Sequence, residues 1–356
     1  MNLNAPVLVV VVAFRNERDV VGCLTALARA EEEPSFEIFI AENGGREAAA
    51  ALTETLRRSP CTRQNDADED RLLSSPLVAG SSHFHLLRQD GMPRCRIHVA
   101  EMAENLGYAG AINAILRPLQ KVAGWDAVWI INPDTQPSPS ALAELRAHSV
   151  RRAKGMVGSC IISPETPDIV HTRGLAWSKI TARTLAVDFH APCDIAPNED
   201  DLESRLGAPS GASIYVTRDL LSKIGLPDES YFLFFEDLDW GLRAKRLDSV
   251  GYAHRSVVVH RGGTTIGTTR YHKGSSRLAI YLEVRNRILF VRKHHHPWLP
   301  WTILMQFLHV AAFGLAGGAA PMKAAFRGLI AGIRGKTGRP DRMLQAHTTW
   351  LGFRPE

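Results

Sequence analysis

Cysteine is scarce and scattered in this 356-residue chain: Cys23, Cys61, Cys95, Cys160 and Cys193 never form a Cys-x-x-Cys pair. That distribution argues against a disulfide framework and a zinc site, and free thiols in a reducing compartment are expected. Basic runs interleaved with aromatics are also missing, so nucleic acid is not an expected partner. The net charge of +5 is mild and suits phosphates, nucleotides or acidic lipid. No basic lead-in precedes the Val-rich apolar run near the N-terminus, which reads as a first strand rather than a secretory signal. The expectation is a cytoplasmic protein.

Regular elements fill most of what remains. Val7 to Ala13 is a nearly continuous Val/Leu run, the pattern of a strand buried on both faces of a parallel sheet. Asn16 can cap the helix that follows, where Val20, Val21, Leu24, Leu27 and Ala28 recur at helical spacing. "FEIFIA" predicts a second strand and Glu47 to Arg58 a second helix. Strand, helix, strand, helix opens an α/β domain with a mostly parallel, Rossmann-like sheet flanked by helices. Residues 59–94 are polar, contain Pro and lack a period, so an insertion loop is expected there. The alternation then resumes, through "RIHVAE", "NLGYAGAINAIL", "AVWII", the helix from Ser140 to Lys154, "GASIYVT" and "SVVVH".

The tail, residues 294–356, differs. Trp298 to about Met322 is apolar enough to span a bilayer, yet Thr302, Gln306 and His309 form one polar stripe on a helix. Phe326, Leu329, Ile330 and Ile333 follow, with Lys323, Arg327, Arg334 and Lys336 around them. Two readings stand side by side: a basic amphipathic segment on a membrane surface, or two helices closing the core. The triplet His294 to His296 cannot face one ion from a regular element and reads as a surface or interfacial patch.

Ligands of open α/β sheets bind beyond the carboxyl ends of the strands. Those ends carry "FRNE", "ENGG", "ENLGYAG", "NPDT" and "EDLD", so acids and amides gather at nearly every one. That chemistry suits a ligand with both phosphates and hydroxyls. Taken singly, each has a plainer reading. Asp134 could be a turn residue, His260 a satisfied strand-end histidine, and Glu236, Asp237 and Asp239 helix-dipole partners of Arg243, Lys245 and Arg246. The aromatic run "YFLFF" before Glu236 favours more, because an apolar wall raises the basicity of a carboxylate.

The order of "VVVVAFRNE", "FEIFIAENGG", "ENLGYAGAIN", "WIINPDTQP", "PSGASIYVTRDLLSKIGLPDESYFLFFEDLDWGLRAKR", "VVVHRGG" and "YLEVRNRILFVRK" resembles family 2 glycosyltransferases of the GT-A fold. Within the family the chain is most similar to the rhamnosyltransferase-like branch of bacterial cell-surface polysaccharide synthesis. The resemblance covers roughly Val7 to Lys293, implying a catalytic domain over residues 1–293. It implies that Ala13, Phe14, Asn16, Glu17 and Glu42 line the nucleotide pocket, with Glu42 where the family usually has Asp. Asn105, Gly107, Gly110, Asn113 and Asn132 would shape the donor side. Asp134, with His260, would hold a divalent Mn or Mg ion, and Asn132 leaves that motif one carboxylate short. Asp237 would be the base, with Glu236, Asp239 and Gly211 in acceptor or supporting roles. Arg285 and Asn286 fall on a recurring pair to which the resemblance assigns no role.

The implied reaction is an inverting, metal-dependent transfer of a sugar, rhamnose being one choice, from a UDP- or dTDP-type donor. The acceptor would be a hydroxyl of a polysaccharide or lipid-linked glycan. The competing reading is a nucleotide-sugar-binding scaffold without activity, which would be expected to lose acids at the Glu236 helix, yet all three stand. No Gln-x-x-Arg-Trp signature and no set of membrane spans supports a processive synthase.

Overall fold

A computed structural model describes residues 5–32, 34–65, 75–262, 276–341 and 343–344. In chain order the first half holds β1 (Val7–Ala13), α1 (Glu17–Leu27), β2 (Phe36–Glu42), α2 (Arg46–Arg58), β3 (Thr62–Gln64), β4 (Val78–Leu87), β5 (Pro93–Met102), α3 (Gly107–Leu119), β6 (Ala127–Ile131), β7 (Thr135–Pro137) and α4 (Ala141–Arg152). The second half holds β8 (Met156–Ser163), β9 (Thr166–Thr172), β10 (Leu175–Ser178), β11 (Arg183–Ala186), α5 (Glu199–Arg205), β12 (Ser213–Thr217), α6 (Arg218–Ile224), α7 (Glu236–Lys245), β13 (Val250–His260), α8 (Arg277–His294), α9 (Leu299–Gly317) and α10 (Ala319–Ile333).

The main sheet runs β3-β4-β5-β2-β1-β6-β12-β8-β13-β7, with β9 added to β8. Pairings β5–β2–β1–β6 and β8–β13 are parallel, and β12 lies antiparallel between β6 and β8. Because successive side chains on a strand alternate faces, the Val run of β1 supplies two cores at once. Leu8, Val10 and Val12 pack with Ile112, Ile115 and Leu116 of α3. Val7, Val9, Val11 and Ala13 pack with Leu24 and Leu27 of α1, Leu52 and Leu56 of α2, and Leu145 of α4. Helices on both faces are what an uninterrupted apolar strand requires.

One expectation changes. Residues 59–94, read as a loop, carry β3 and β4, and β4 pairs with β5 from Val78↔Met102 to Leu87↔Pro93. This stretch is an antiparallel edge with one solvated face, so polar residues alternate with Phe84, Leu86 and the other apolar ones and no long hydrophobic run marks it. Residues 66–74 lie outside the described set. In the tail, one helix packs on the core and the other leaves apolar side chains exposed. Helix α10 closes a core against α8, with Gly328 against the Tyr281 carbonyl and Gly332 beside Ile288, positions where a side chain would force the helices apart. Helix α9 turns its polar stripe inward, Thr302 and Gln306 being fully buried, and leaves its apolar side outside.

Candidate functional site

The first wall of the site is built where β1 and β2 end side by side, Ala13 opposite Glu42. Arg15 adopts φ 55°, which turns the chain sharply out of β1. Its backbone N–H and that of Gly44 both donate to Glu42 Oε1, at 3.2 and 2.8 Å. Glu42 Oε2 is buried without a hydrogen-bond partner among the described residues. Burial raises the Glu42 carboxyl above its ordinary range despite those two N–H donors. Asn16 stands at the start of α1, but its side chain does not cap the helix. Asn16 Oδ1 instead accepts the Phe14 N–H at 2.9 Å, which fixes the turn carrying Phe14 and Glu17.

Asn43 and Asn105 join this wall to α3. Asn43 Nδ2 donates to Asn105 Oδ1 and to the Gly107 carbonyl, while its own oxygen accepts the Leu106 N–H. Gly107, at φ +75°, is needed because a Cβ would collide with the Phe232 carbonyl. The backbone that Gly107 approaches is the chain's own 231–235 turn, and the Tyr108 N–H donates to Phe232 O at 2.7 Å. Gly110 only admits Leu106. Asn113 is buried and binds the Pro227 carbonyl and Glu229, away from the strand ends, so it anchors the segment before the turn.

The second wall follows β6. Asn132 Oδ1 accepts the Tyr108 hydroxyl at 2.8 Å, and Asn132 Nδ2 lies 3.5 Å from His260 Nε2. Asp134 Oδ1 is 3.2 Å from the same nitrogen. His260 comes into place because the end of β13 pairs with β7, His260 opposite Thr135. The Tyr108 hydroxyl also reaches the Gly211 carbonyl at 3.1 Å, and the Gly211 N–H donates to Asp237 Oδ2 at 3.2 Å. A Cβ on Gly211 would sit 2.9 Å from that oxygen. One run of polar contacts therefore links Asp237, Gly211, Tyr108, Asn132, His260 and Asp134. Burial, with the charges of Glu236, Asp237 and Asp134, keeps Tyr108 a neutral phenol well beyond neutral pH.

The third wall is the turn that delivers the acids of α7. Phe232, Phe234 and Phe235 all have positive φ, 65°, 67° and 75°, a strain of about 1–3 kcal/mol each. Asn286 opposes it by donating to the carbonyls of Tyr231, Leu233 and Phe234 at 2.9, 2.7 and 3.0 Å. Arg285 adds Nη2 to Tyr231 O and Nη1 to Gly338 O, each at 2.8 Å. Glu236 is buried at the start of α7, and burial with the neighbouring Asp237 charge pushes its carboxyl up to about 8. Asp237 is raised by burial too, although the Leu238 and Gly211 N–H groups favour its anion. Of the two, Glu236 is the more strongly raised, and Asp237 keeps the N–H donors that favour its anion. Asp239 faces the other way, bonded to His294 Nε2 at 2.6 Å, Lys293 Nζ at 2.7 Å and Arg243 Nε at 3.0 Å. Burial alone would raise Asp239, but the hydrogen bonds from His294 and Lys293 bring it down to about 2. Its part is to tie α7 to α8. Of the His triplet, the His294 side chain is buried on Asp239 and His295 stacks on Trp177, while His296 is exposed.

A sequence model of the family described as "Glycosyltransferase like family 2" matches residues 84–288, more than half of the chain. The chain belongs to glycosyltransferase family 2. It is 27% identical over 241 residues, 60% of its length and 76% of the relative's, to an N-acetylglucosaminyl-diphospho-decaprenol L-rhamnosyltransferase of Mycobacterium tuberculosis. A low-salt glycan biosynthesis hexosyltransferase, Agl10 of Haloferax volcanii, is 23% identical over 255 residues, 69% of this chain and 79% of that one. Among solved structures, S. aureus TarS 1-349 in complex with UDP-GlcNAc superposes with TM-score 0.50 at 14% identity, over 95% of this chain and 82% of that one. GalNAc-T7 with UDP, GalNAc and Mn2+ gives TM-score 0.53 at 12% identity, over 98% and 58%. Identities this low show the shared GT-A-like fold.

In this glycosyltransferase several residues of the site escaped the sequence reading. Tyr108 was legible only as part of a helix start, yet its hydroxyl joins two walls. Asn43 sat unremarked beside Glu42. Arg285 and Asn286 were marked as a recurring pair but given no role, because the turn they support lies 52 to 55 residues away.

Proposed function

We propose that this family 2 glycosyltransferase transfers a sugar with inversion from a nucleoside-diphosphate donor to a hydroxyl of a lipid-linked or polysaccharide acceptor. The observation that carries the reading is the continuous polar path from Asp237 to Asp134 through Gly211, Tyr108, Asn132 and His260. It sets a carboxylate base at one end and a phosphate-side carboxylate at the other, with a phenol and two amide groups between. Asp237 takes the proton of the acceptor hydroxyl as that oxygen bonds to the anomeric carbon, and the nucleoside diphosphate departs from the opposite face. Neutral Glu236 keeps a second negative charge off the base, and the Gly211 and Leu238 N–H groups hold the Asp237 carboxylate in one orientation.

The donor set at the other end fits a divalent cation in part. Asp134 and His260 present one oxygen and one nitrogen 3.2 Å apart. Among the described residues no group of three or more His, Cys, Asp or Glu side chains is placed to hold an ion, and residues 263–275 lie outside that set. Asp134 and His260 would hold Mn²⁺ or Mg²⁺ together with the donor phosphates, and the ion would supply charge neutralisation to the leaving diphosphate. Glu42, with its buried free Oε2, would read the nucleotide base. The named relatives support rhamnose or another hexose as the sugar and a diphospho-lipid as the acceptor. Such an acceptor would bring the enzyme to a membrane surface with the tail as its contact, and a nucleotide-sugar donor and the five free thiols suit the cytoplasmic side.

Thermal-shift titration with UDP, dTDP and their sugars tests the donor and the metal together. Stabilisation by one nucleotide family, enhanced by Mn²⁺ or Mg²⁺ and lost for the metal enhancement in Asp134→Ala, is the expected result. Equal affinity with and without the ions would remove the metal from the reading.

A further inference from the structure

Helix α9 carries apolar residues on both sides. Its inner face buries Thr302 and Gln306 beside Val310, with Ile303 and Phe313 packed on the core, and its outward face, with Trp298 just before it, carries Trp301, Leu304, Phe307, Leu308 and Leu315, from 38% exposed at Trp298 to 92% at Leu315. Packing explains the polar side. The buried guanidinium of Arg287 on α8 reaches Gln306 Oε1 at 3.3 Å and His309 Nδ1 at 3.2 Å, and Arg183 of β11 reaches His309 Nε2 at 2.7 Å. Nothing among the described residues covers the outward apolar side. Beside it lies the β10–β11 hairpin, joined by the Trp301 indole N–H on the Ile180 carbonyl at 2.7 Å. That hairpin adds Ile180, 71% exposed, and Leu185, 47% exposed. Two independent elements thus present large apolar side chains from one neighbourhood, more than a surface normally leaves to water.

The charge of α10, which packs on α9, and of the segment after it selects the occupant. From His294 to Pro340 the chain has Lys323, Arg327, Arg334, Lys336 and Arg339 and no carboxylate at all. Lys323, Arg327, Arg334 and Lys336 are exposed. A second copy of this chain would bring the same cations against themselves, whereas an anionic lipid surface complements them. Two tryptophans at the N-terminal end suit the headgroup boundary.

We propose that the outward face of α9, with the tip of the β10–β11 hairpin, inserts into the interface of an anionic lipid bilayer while the helix lies in the membrane plane. His296–Gly317, with mean hydropathy 1.5, is long and apolar enough to cross a bilayer. Crossing would pull Gln306 and His309 off Arg287 and leave the guanidinium with Glu283 in place of three partners. Lying flat keeps those bonds and buries only the face already apolar. The chain beyond α10 then returns to the catalytic turn, where the Gly338 N–H donates to the Ser230 carbonyl and Gly338 O accepts Arg285. The lipid-seated helices are thereby continuous with the turn that aims Asp237. The inference deepens the lipid-linked acceptor reading and takes its purpose from it.

Flotation of the full chain without nucleotide, on phosphatidylglycerol/phosphatidylcholine vesicles and on phosphatidylcholine alone, tests the face directly. The wild type is expected to float with the anionic vesicles, less so at high salt. Leu304→Gln/Leu308→Gln should lower that binding by roughly tenfold or more, with an unchanged melting temperature, and Lys323→Glu/Arg327→Glu should erase the preference for anionic lipid. Undiminished flotation of the Leu304/Leu308 variant would overturn the proposal. So would a wild-type dimer that the same variant dissolves, because the face would then be an interface between copies. Donor binding measured without vesicles reads the transfer proposal separately, so either can fail alone.

Discussion

At the ends of β1, β2 and β6 the acids and amides stand on regular parallel strands, whereas Glu236 and Asp237 hang from a turn held against its own backbone preference. The strand-end wall needs little beyond the sheet: register sets Ala13 opposite Glu42, and local N–H groups finish the job. The aromatic turn needs help from three distant places, namely Asn286 on α8, Gly107 on α3 and Gly338 beyond α10. That turn carries Glu236 and Asp237 at the start of α7, and two of its supports come from the C-terminal helices and the segment after them. A site can thus combine a wall that is nearly automatic with one that depends on the whole tertiary fold.

Removing the base should produce the largest effect. Asp237→Asn should lower turnover by about 10²–10⁴-fold with donor affinity unchanged; retained turnover would take Asp237 out of the chemistry. Gly107→Ala comes next, since it combines roughly 1–2 kcal/mol for a left-handed residue with a collision on the Phe232 carbonyl. It should destabilise the chain in urea and reduce kcat by displacing the turn, while a strand-end pocket measured by nucleotide affinity stays intact. Asn286→Ala strips donors from three carbonyls, on the order of 1–3 kcal/mol for each that stays buried and unpaired. Its signature is a fall in kcat with little change in donor Kd. Equal loss of both would mean that the two walls are not separable.

The smallest effect is expected at Glu236→Gln. Below about pH 8 the wild-type Glu236 is already neutral, so the amide should leave turnover at neutral pH nearly unchanged. As pH rises through about 8 the wild type gains a second anion beside Asp237 and the variant does not, so the two pH profiles should part only on that alkaline side. On the acid side both should lose activity as Asp237, itself raised by burial, takes up its proton. A large loss at neutral pH would make Glu236 a base in its own right.

Much of the strand-end wall was legible early because it follows from local pattern. The Val run, the apolar stretches before "ENGG" and "NPDT", and the acids after "YFLFF" each announce an element and its end. The β3–β4 edge was not legible, since an antiparallel edge with one wet face mixes polar and apolar residues over a short span. Asn113 was read as a donor-side residue and anchors a segment, and of Asp239's two readings the supporting one has contacts; spacing could not reveal this because Pro227, Glu229 and His294 lie far away in sequence. His294, read as part of a surface or interfacial patch, has a buried side chain for the same reason.

By itself the sequence determined the α/β alternation, the strand ends where chemistry collects, and the acid-bearing helix start, because each depends on residues close together in the chain. Only the tertiary structure decided which of those polar groups face one another. Tyr108 bridging Gly211 and Asn132, Asn286 holding the Phe232–Phe235 turn, and the inward polar stripe of α9 all depend on contacts between segments tens to hundreds of residues apart. Helix periodicity said that Thr302, Gln306 and His309 share a face. It took the buried Arg287 on α8 to make that polar face the inner one.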